Sequence, residues 1–457
     1  MNNVVVQGLG FVGLAMSVAI ASAKDENNDP LYNVIGLELN NKQGLKKVKD
    51  INSNIFPLRS TDLLLENSFK KCILNNNLRA TTNPEVISNA DFIIVDINLD
   101  VDLDKERGSI DFAGFIKAIK TIGDFVRSDA LVIIETTVPP GTTERIAYPI
   151  LKDKFDKRFS AGNLPMLAHS YERVMPGPNY FNSITNFWRV YSGCNLESTK
   201  KCKEFLETII NTQKYEMKEV MSPTASETAK IMENSYRALN IAFIDEWSKY
   251  ADLVEIDLFD VISSIKVRPT HSNIMNPGLG VGGYCLTKDP LMGMVSLDQI
   301  FKKKSAFPLS KLSVEINKQM PKNTLKKIME NLPKNGNRIL VLGITYREDV
   351  ADTRFSASEQ LISLLLDNDL KVDCYDPMIT ESNLNGVNLL DKLPKANNYS
   401  VIVLTVKHKK FLDLNFDDWL LNFSGSVIDS NGVMNIKEIK KLKGLGINIK
   451  AIGRGNI

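Results

Sequence analysis

Val4-Val5-Val6-Gln7-Gly8-Leu9-Gly10-Phe11-Val12-Gly13-Leu14-Ala15-Met16-Ser17-Val18-Ala19-Ile20-Ala21-Ser22-Ala23 reads as a short buried strand, a glycine turn and an apolar helix from about Phe11 to Ala23. The glycines of Gly8-x-Gly10-x-x-Gly13 do different work. The first allows a tight turn, the second lets a pyrophosphate reach backbone N–H groups, and the third lets helix pack on strand, with the helix N-terminus at Phe11 and Val12 facing the phosphates. Asn33-Val34-Ile35-Gly36-Leu37-Glu38 supplies a second strand ending in an acid. Glu38 is expected to bind the adenosine ribose hydroxyls, and a carboxylate there repels a 2′-phosphate, so NAD is preferred over NADP.

Glu38 follows Gly8 by more than the usual spacing of about 20 residues. A polar insert, Asp25-Glu26-Asn27-Asn28-Asp29-Pro30, has loop composition and lengthens the connection between helix and strand. The same apolar run ending in Ala21-Ser22-Ala23 resembles the hydrophobic core of a signal peptide. No Lys or Arg precedes it, however, and a secretory helix has no need of three regularly spaced glycines.

The chain has 457 residues, too many for one typical core, and a prior of about 150 residues per domain suggests two or three, with three expected. Hydrophobic residues at 43% and charged residues at 24% exclude a disordered or membrane-embedded class. Lys plus Arg is 56 against 54 for Asp plus Glu, so there is no basic field to bind nucleic acid. The five cysteines are scattered without a Cys-x-x-Cys pair, and there are only three histidines. Neither zinc nor a disulfide framework is expected, and a reducing cytoplasm is.

Further strands are expected at Asp91–Val95 and Ala130–Ile134, and ligands collect at the C-terminal ends of such strands. That places Thr137 of Glu135-Thr136-Thr137-Val138-Pro139-Pro140-Gly141-Thr142-Thr143 near a site, although threonines there also serve as turn and cap residues. Leu164 to Gly177 reads as a polar, rigid loop in which Glu172 is the candidate acid or base; a solvated Glu172-Arg173 surface pair is the plainer alternative. Ser222-Pro223-Thr224-Ala225-Ser226-Glu227 begins a long helix reaching about Val254, with Thr224-x-x-Glu227 as a capping box. On it Lys230 and Asn234 share a face beside an apolar stripe, where a lysine serves as base or oxyanion partner.

Gly278-Leu279-Gly280-Val281-Gly282-Gly283-Tyr284-Cys285-Leu286-Thr287-Lys288-Asp289 sets a cysteine inside a glycine-rich turn with a lysine and an aspartate behind it. The glycines are expected to let the backbone approach a ligand, and Lys288 with nearby N–H groups to favour a thiolate at Cys285. Beyond it, Arg338–Gly343, Leu370–Asp376 and Val401–Leu404 alternate with helical stretches as a second doubly wound domain without a second glycine fingerprint. Arg347 and Arg354, after its first strand, are placed to grip phosphates or sugar hydroxyls. The expected fold class is α/β, two doubly wound Rossmann-like domains joined by a central long-helix domain, with boundaries at 1–220, 221–315 and 316–457.

Together these stretches resemble the UDP-glucose/GDP-mannose dehydrogenase family, the four-electron nucleotide-sugar 6-dehydrogenases. The resemblance rests on Gly8-Leu9-Gly10-Phe11-Val12-Gly13-Leu14, Thr137-Val138-Pro139-Pro140-Gly141-Thr142-Thr143-Glu144, Glu227-x-x-Lys230-x-x-x-Asn234, Gly282-Gly283-Tyr284-Cys285-Leu286-x-Lys288-Asp289 and Asp352-Thr353-Arg354. It implies transfer of hydride from C6 of a sugar to NAD, attack of Cys285 on the aldehyde, a second hydride transfer and thioester hydrolysis, for a surface-polysaccharide precursor. Lys230 and Asn234 stabilise the oxyanions, Asp289 handles water and proton, Glu172 assists hydrolysis, and Thr137 helps to place that water at the cofactor side. The implied substrate-side residues are Glu172, Arg173, Lys230, Asn234, Gly282, Tyr284, Arg347 and Arg354, and a homodimer or higher homo-oligomer paired through the long helix is implied as well. Two positions depart from the family: Asp96-Ile97-Asn98-Leu99-Asp100 stands where a Pro-Thr-Pro-like turn is frequent, and Thr287 replaces a common proline.

Glu172-Arg173-Val174-Met175-Pro176-Gly177 looks like members acting on UDP-N-acetylhexosamines, whereas Cys285-Leu286-Thr287-Lys288-Asp289 is closer to UDP-glucose 6-dehydrogenases. The N-acetyl sugar is favoured. A two-electron hydroxyacid dehydrogenase would share the Lys/Asn pair but not need Cys285. A short-chain dehydrogenase would place Tyr284-x-x-x-Lys288 on a helix, which Gly282-Gly283 and Pro290 oppose. A non-catalytic NAD-binding regulatory protein shares the fold, and the joint presence of Cys285, Lys230, Asn234 and Asp289 argues against it.

Overall fold

A computed structural model describes residues 1–58, 60–102, 108–160, 162–380 and 384–457. The chain divides into two compact units, Met1–Glu233 with Leu291–Phe307, and Asn234–Pro290 with Pro308–Ile457. The division falls inside one continuous helix, Pro223–Leu253.

In the first unit, β1 (Asn2–Gln7) leads through the glycine turn into helix α1 (Phe11–Ser22), and the chain returns in β2 (Tyr32–Leu37). The expected insert is a tight polar turn: Asp25 carboxylate accepts from the N–H groups of Asn27 and Asp29, and Asn28 takes a left-handed conformation at φ +69°. The sheet continues with β3 (Leu78–Thr81) and β4 (Phe92–Val95); a two-strand ribbon of β5 (Val101–Asp102) and β6 (Ser109–Ile110) follows, then β7 (Leu131–Ile134), β8 (Met166–His169), β9 (Val190–Gly193) and β10 (Lys218–Glu219). The order is β10-β9-β8-β7-β4-β1-β2-β3, parallel except where β8 meets β9. Val4, Val5, Val6, Ile93, Ile94, Val132 and Ile133 are all buried, as strands covered on both faces require.

Met166–His169 corrects one expectation. The loop foreseen from Leu164 begins as a fully buried strand paired with β7 in the register Leu131↔Met166. A run of Met-Leu-Ala behind Pro165 is too short and too weak in β-branched residues to announce itself. From Tyr171 to Gly177 the backbone is irregular.

The second unit carries the other sheet, β11 (Arg338–Leu342), β12 (Lys371–Tyr375), β13 (Val387–Leu389), β14 (Val401–Leu404), β15 (Ser426–Asp429) and β16 (Asn448–Ala451). These pair entirely in parallel in the order β13-β12-β11-β14-β15-β16. Ile339, Val341, Val401 and Val403 enter one core cluster while Leu340, Leu342, Ile402 and Leu404 enter another, so the period of two along each strand fills both faces. The two sheets bear out the doubly wound expectation.

Candidate active site

In the first unit the glycine turn has the geometry of a dinucleotide cradle. Gly8 sits at φ +99°, and a Cβ there would lie 2.3 Å from Asp96 O; one on Gly13 would lie 1.9 Å from Gly8 O. A Cβ on Gly10 would meet nothing within 4 Å, which leaves open space at the point where a ligand approaches the backbone. Gly10 is the N-cap of α1 and offers no side-chain cap, so the helix start at Phe11 and Val12 presents backbone donors to an anion. Glu38 follows β2 directly, accepts from Leu9 N–H at 3.3 Å and Leu39 N–H at 3.0 Å, and pairs with Lys47 Nζ at 2.9 Å. The acid is thereby pinned beside the turn. These residues fit an NAD dinucleotide.

Thr137 lies half-buried in the segment after β7. That segment is anchored by a residue with a different expected role. Glu227 does not close a capping box: Ser222 Oγ accepts from Ala225 N–H at 3.2 Å at the helix start, and Thr224 bonds to Glu144. The Glu227 carboxylate instead accepts from Gly141 N–H at 2.5 Å, Thr143 N–H at 2.8 Å and Thr143 Oγ1 at 2.6 Å. Burial pushes its pKa up to about 8 against these hydrogen bonds. Ser296 Oγ donates to Pro140 O at 2.6 Å and holds the same loop from its other side.

Glu172 and Lys230 are brought together. Lys230 Nζ donates to Glu172 O at 3.0 Å, stands 3.9 Å from Glu172 Oε1 and lies 5.4 Å from the centroid of Tyr171. Glu172 Oε2 also accepts from Val174 N–H. His169 beside them bonds through Nδ1 to Ser226 Oγ at 2.9 Å; burial first, and then the Lys230 charge, lower its pKa to about 3, so it stays neutral. Arg173 is no loose surface cation: it pairs with Glu233 at 3.0 Å, donates to Trp188 O at 2.9 Å and lies 5.4 Å and 5.6 Å from the rings of Tyr171 and Phe187.

In the second unit, Cys285 alone among the five cysteines is exposed. Its carbonyl accepts from Lys288 N–H at 3.2 Å and Asp289 N–H at 2.9 Å, so the cysteine opens a helical turn. Asp289 is fully buried and clamped on both oxygens, by Lys288 Nζ at 3.0 Å and Asn234 Nδ2 at 2.7 Å. Lys288, expected to favour the thiolate, thus spends its charge on Asp289 and on the ring of Tyr284, 4.3 Å away. The glycines also have another reason than the expected approach to a ligand. A Cβ on Gly282 or Gly283 would come within 2.8 Å of Tyr346, one on Gly280 within 2.9 Å of Ala357, and one on Gly278 within 2.9 Å of Asn431 Oδ1. Glycine is required for this segment to lie against the second sheet domain. Tyr284 faces Arg354 at 5.6 Å, while Arg354 is held by Asp352 at 2.7 Å, which raises the guanidinium pKa further. Arg347 makes a 3.6 Å contact with Glu348 and is partly exposed.

A dinucleotide cradle at the switch point of a doubly wound sheet is the kind of cofactor site an oxidoreductase uses. Comparison with known proteins makes the class specific. Models of the UDP-glucose/GDP-mannose dehydrogenase family match in three parts: its NAD binding domain over residues 2–212, its central domain over 224–319 and its UDP binding domain over 340–435. UDP-N-acetyl-D-mannosamine dehydrogenase of Methanocaldococcus jannaschii is 29% identical over 98% of this chain and 96% of its own length. The Methanococcus maripaludis protein of the same name is 30% identical over 98% and 96%. Among solved structures, UDP-D-ManNAc dehydrogenase from Pyrococcus horikoshii superposes with a TM-score of 0.82 at 26% identity over all of both chains. NDP-N-acetyl-D-galactosaminuronic acid dehydrogenase from Methanosarcina mazei gives 0.79 at 26%, over 100% of this chain and 96% of that one. The chain belongs to the UDP-glucose/GDP-mannose dehydrogenase family. It is an NAD-dependent nucleotide-sugar dehydrogenase. Among the described residues no helix is long and apolar enough to cross a membrane.

Proposed function

We propose that the substrate is a UDP-N-acetylhexosamine, with UDP-N-acetyl-D-mannosamine the first choice, and that Cys285 carries the sugar through a four-electron oxidation of C6. The single observation that supports this most is Cys285 itself, the one exposed thiol, one turn of chain from an aspartate clamped by an amide and an amine. The names of the relatives and the Glu172-Arg173 segment favour the N-acetyl sugar. In this proposal the chain works as an NAD-binding domain over 1–220, a central helical domain with the cysteine segment over 221–315 and a UDP-binding domain over 316–457.

When bound, NAD accepts the C6 hydride in each of the two oxidations. Cys285 Sγ forms a C–S bond to the C6 aldehyde, the thiol proton passing to solvent or a neighbouring base, and so keeps the aldehyde from leaving between the oxidations. Lys230, a buried ammonium, and Asn234 Nδ2 stabilise negative charge on the C6 oxygen. Hydrolysis breaks the thioester C–S bond and forms a C–O bond to water; Thr137 and Glu172 position the water, Asp289 takes its proton, and sulfur leaves as thiolate. Asp289 already accepts from Asn234 and Lys288, which fixes both oxygens for that transfer. Gly282, Tyr284, Arg173, Arg347 and Arg354 are assigned to the nucleotide sugar.

A panel of UDP-sugars followed by NADH absorbance tests the assignment. UDP-N-acetylmannosamine is expected to give the highest kcat/KM; a preference for UDP-glucose would move the protein to the other branch of the family, and no NADH from any sugar would favour the non-catalytic alternative.

The same proposal includes a cytoplasmic homodimer. Tyr236, Phe243, Trp247 and Tyr250 recur three to seven residues apart on the long helix and remain 55%, 49%, 42% and 50% exposed, with Trp247 in edge contact with both Phe243 and Tyr250. An isologous pairing lets this strip cover its own copy. Light scattering at micromolar concentration is expected to give twice the chain mass, 51.1 kDa. An active monomer would remove the dimer from the proposal.

A further inference from the structure

The order of the first sheet reverses between β1 and β4, so the crevice in which a dinucleotide crosses the sheet opens between Gly8, just after β1, and Asp96, just after β4. Asp96 is built into that turn. Its N–H donates to Gln7 O at 2.8 Å, its carbonyl fills the space a Cβ on Gly8 would need, and its Cβ lies 3.1 Å from where a Cβ on Gly13 would stand. The Pro-Thr-Pro-like turn frequent in the family has no ionisable group at this place.

The carboxyl of Asp96 is out of contact with solvent, and among the described residues neither of its oxygens has a hydrogen-bond donor; the same holds for Glu135 Oε2. Val95 pairs with Ile134 across β4 and β7, so Asp96 and Glu135 are the next residues across the same ladder. The other oxygen of Glu135 is satisfied by Arg189 at 2.8 Å, both residues being 2% exposed. Three buried acceptor oxygens on neighbouring ladder positions, all without a donor, carry a desolvation cost that nothing offsets. A single proton between the two carboxyls gives two of the three oxygens a partner and so relieves most of that cost.

The surrounding charges agree. Burial, and then the Glu135 carboxyl, hold Asp96 well above the usual carboxylate range; Glu172, beyond β8, adds to this and Arg189 opposes it. Glu135 is raised by burial against Arg189. Lys230, on the long helix, faces Glu172 at 3.9 Å, His169 on β8 is neutral, and α1, packed against Arg189 through Met16, has no ionisable side chain.

We propose that Asp96 is a cofactor-positioning residue: sharing one proton with Glu135, it keeps a second negative charge away from the switch point of the sheet beneath the diphosphate of NAD, and it opposes that anion through space when the proton leaves. The sign follows from the charge. At pH values where the pair keeps its proton the dinucleotide binds at full strength. Above them, binding must either take up a proton or set a second buried negative charge beside the diphosphate, and affinity falls with a limiting slope of about tenfold per pH unit for one proton.

ADP-ribose, which has the diphosphate but no nicotinamide, is the probe. Calorimetric titration of the full-length protein from about pH 6 to about pH 9, in buffers of different ionisation enthalpy, reads affinity and proton uptake together. The parent is expected to lose affinity as pH rises and to take up a fraction of a proton on binding. Asp96→Asn, which keeps the size and a donor, is expected to abolish both the uptake and the slope while keeping low-pH affinity within about threefold. A flat parent Kd without proton uptake overturns the proposal and needs no variant. An Asp96→Asn protein with the parent's slope overturns it equally.

Discussion

Cys285→Ser is expected to turn over at least about a thousandfold more slowly and to release at most one NADH per sugar before stalling. The substitution keeps the size of the side chain and, with it, the turn in which the Cys285 carbonyl accepts from Lys288 and Asp289. What it removes is sulfur, intrinsically a far better nucleophile than the oxygen of an alcohol. Without a C–S bond the aldehyde leaves or hydrates between the two oxidations. Asn234, Asp289 and Lys288 do not depend on the sulfur for their contacts, so circular dichroism of the variant should match the parent. Rapid-mixing absorbance with limiting UDP-sugar checks the prediction. Release of two NADH per sugar at near-parent rate would show that the covalent step is not needed.

Lys230→Met should lower kcat by about a hundred- to a thousandfold, the range found when one preorganised donor to a developing oxyanion is lost. Lys230 is only 8% exposed, and its ammonium is held by Glu172 O at 3.0 Å and by the Tyr171 ring. A group fixed in this way needs no reorganisation as charge develops on the C6 oxygen. Methionine preserves the stem packed in the helix stripe but leaves the Glu172 carboxylate without its nearest cation. The loss belongs chiefly in kcat, with KM changed less than about tenfold, because the interaction strengthens with oxyanion charge. A variant in which KM rises and kcat is unchanged would make Lys230 a substrate-binding group only.

The fold was legible where chemistry and periodicity coincide. Gly8, Gly10, Gly13 and Glu38 identify the nucleotide turn because each position has a separate steric or electrostatic demand, and the buried runs at β4, β7, β11 and β14 are continuous enough to read as parallel strands. The strand Met166–His169 was not, since its few apolar residues have no period of their own and acquire strand form from pairing with β7. Glu227 fits a capping box by spacing, yet partners more than eighty residues earlier, Gly141 and Thr143, outbid the local one. The glycines before Cys285 read as room for a ligand; the space is taken by Tyr346, Ala357 and Asn431. Asp96, Glu135 and Arg189 lie far apart in sequence, and each taken singly is an ordinary strand end. Only the sheet register makes them one buried charge cluster.

The central claim is that one thiol retains the sugar between two oxidations. Its most direct measurement is the NADH formed per mole of limiting UDP-N-acetylmannosamine by the unmodified protein with NAD in excess. Two NADH per sugar, with no free aldehyde trapped by added hydroxylamine, are expected. One NADH per sugar, with the aldehyde recovered as its oxime, would contradict it.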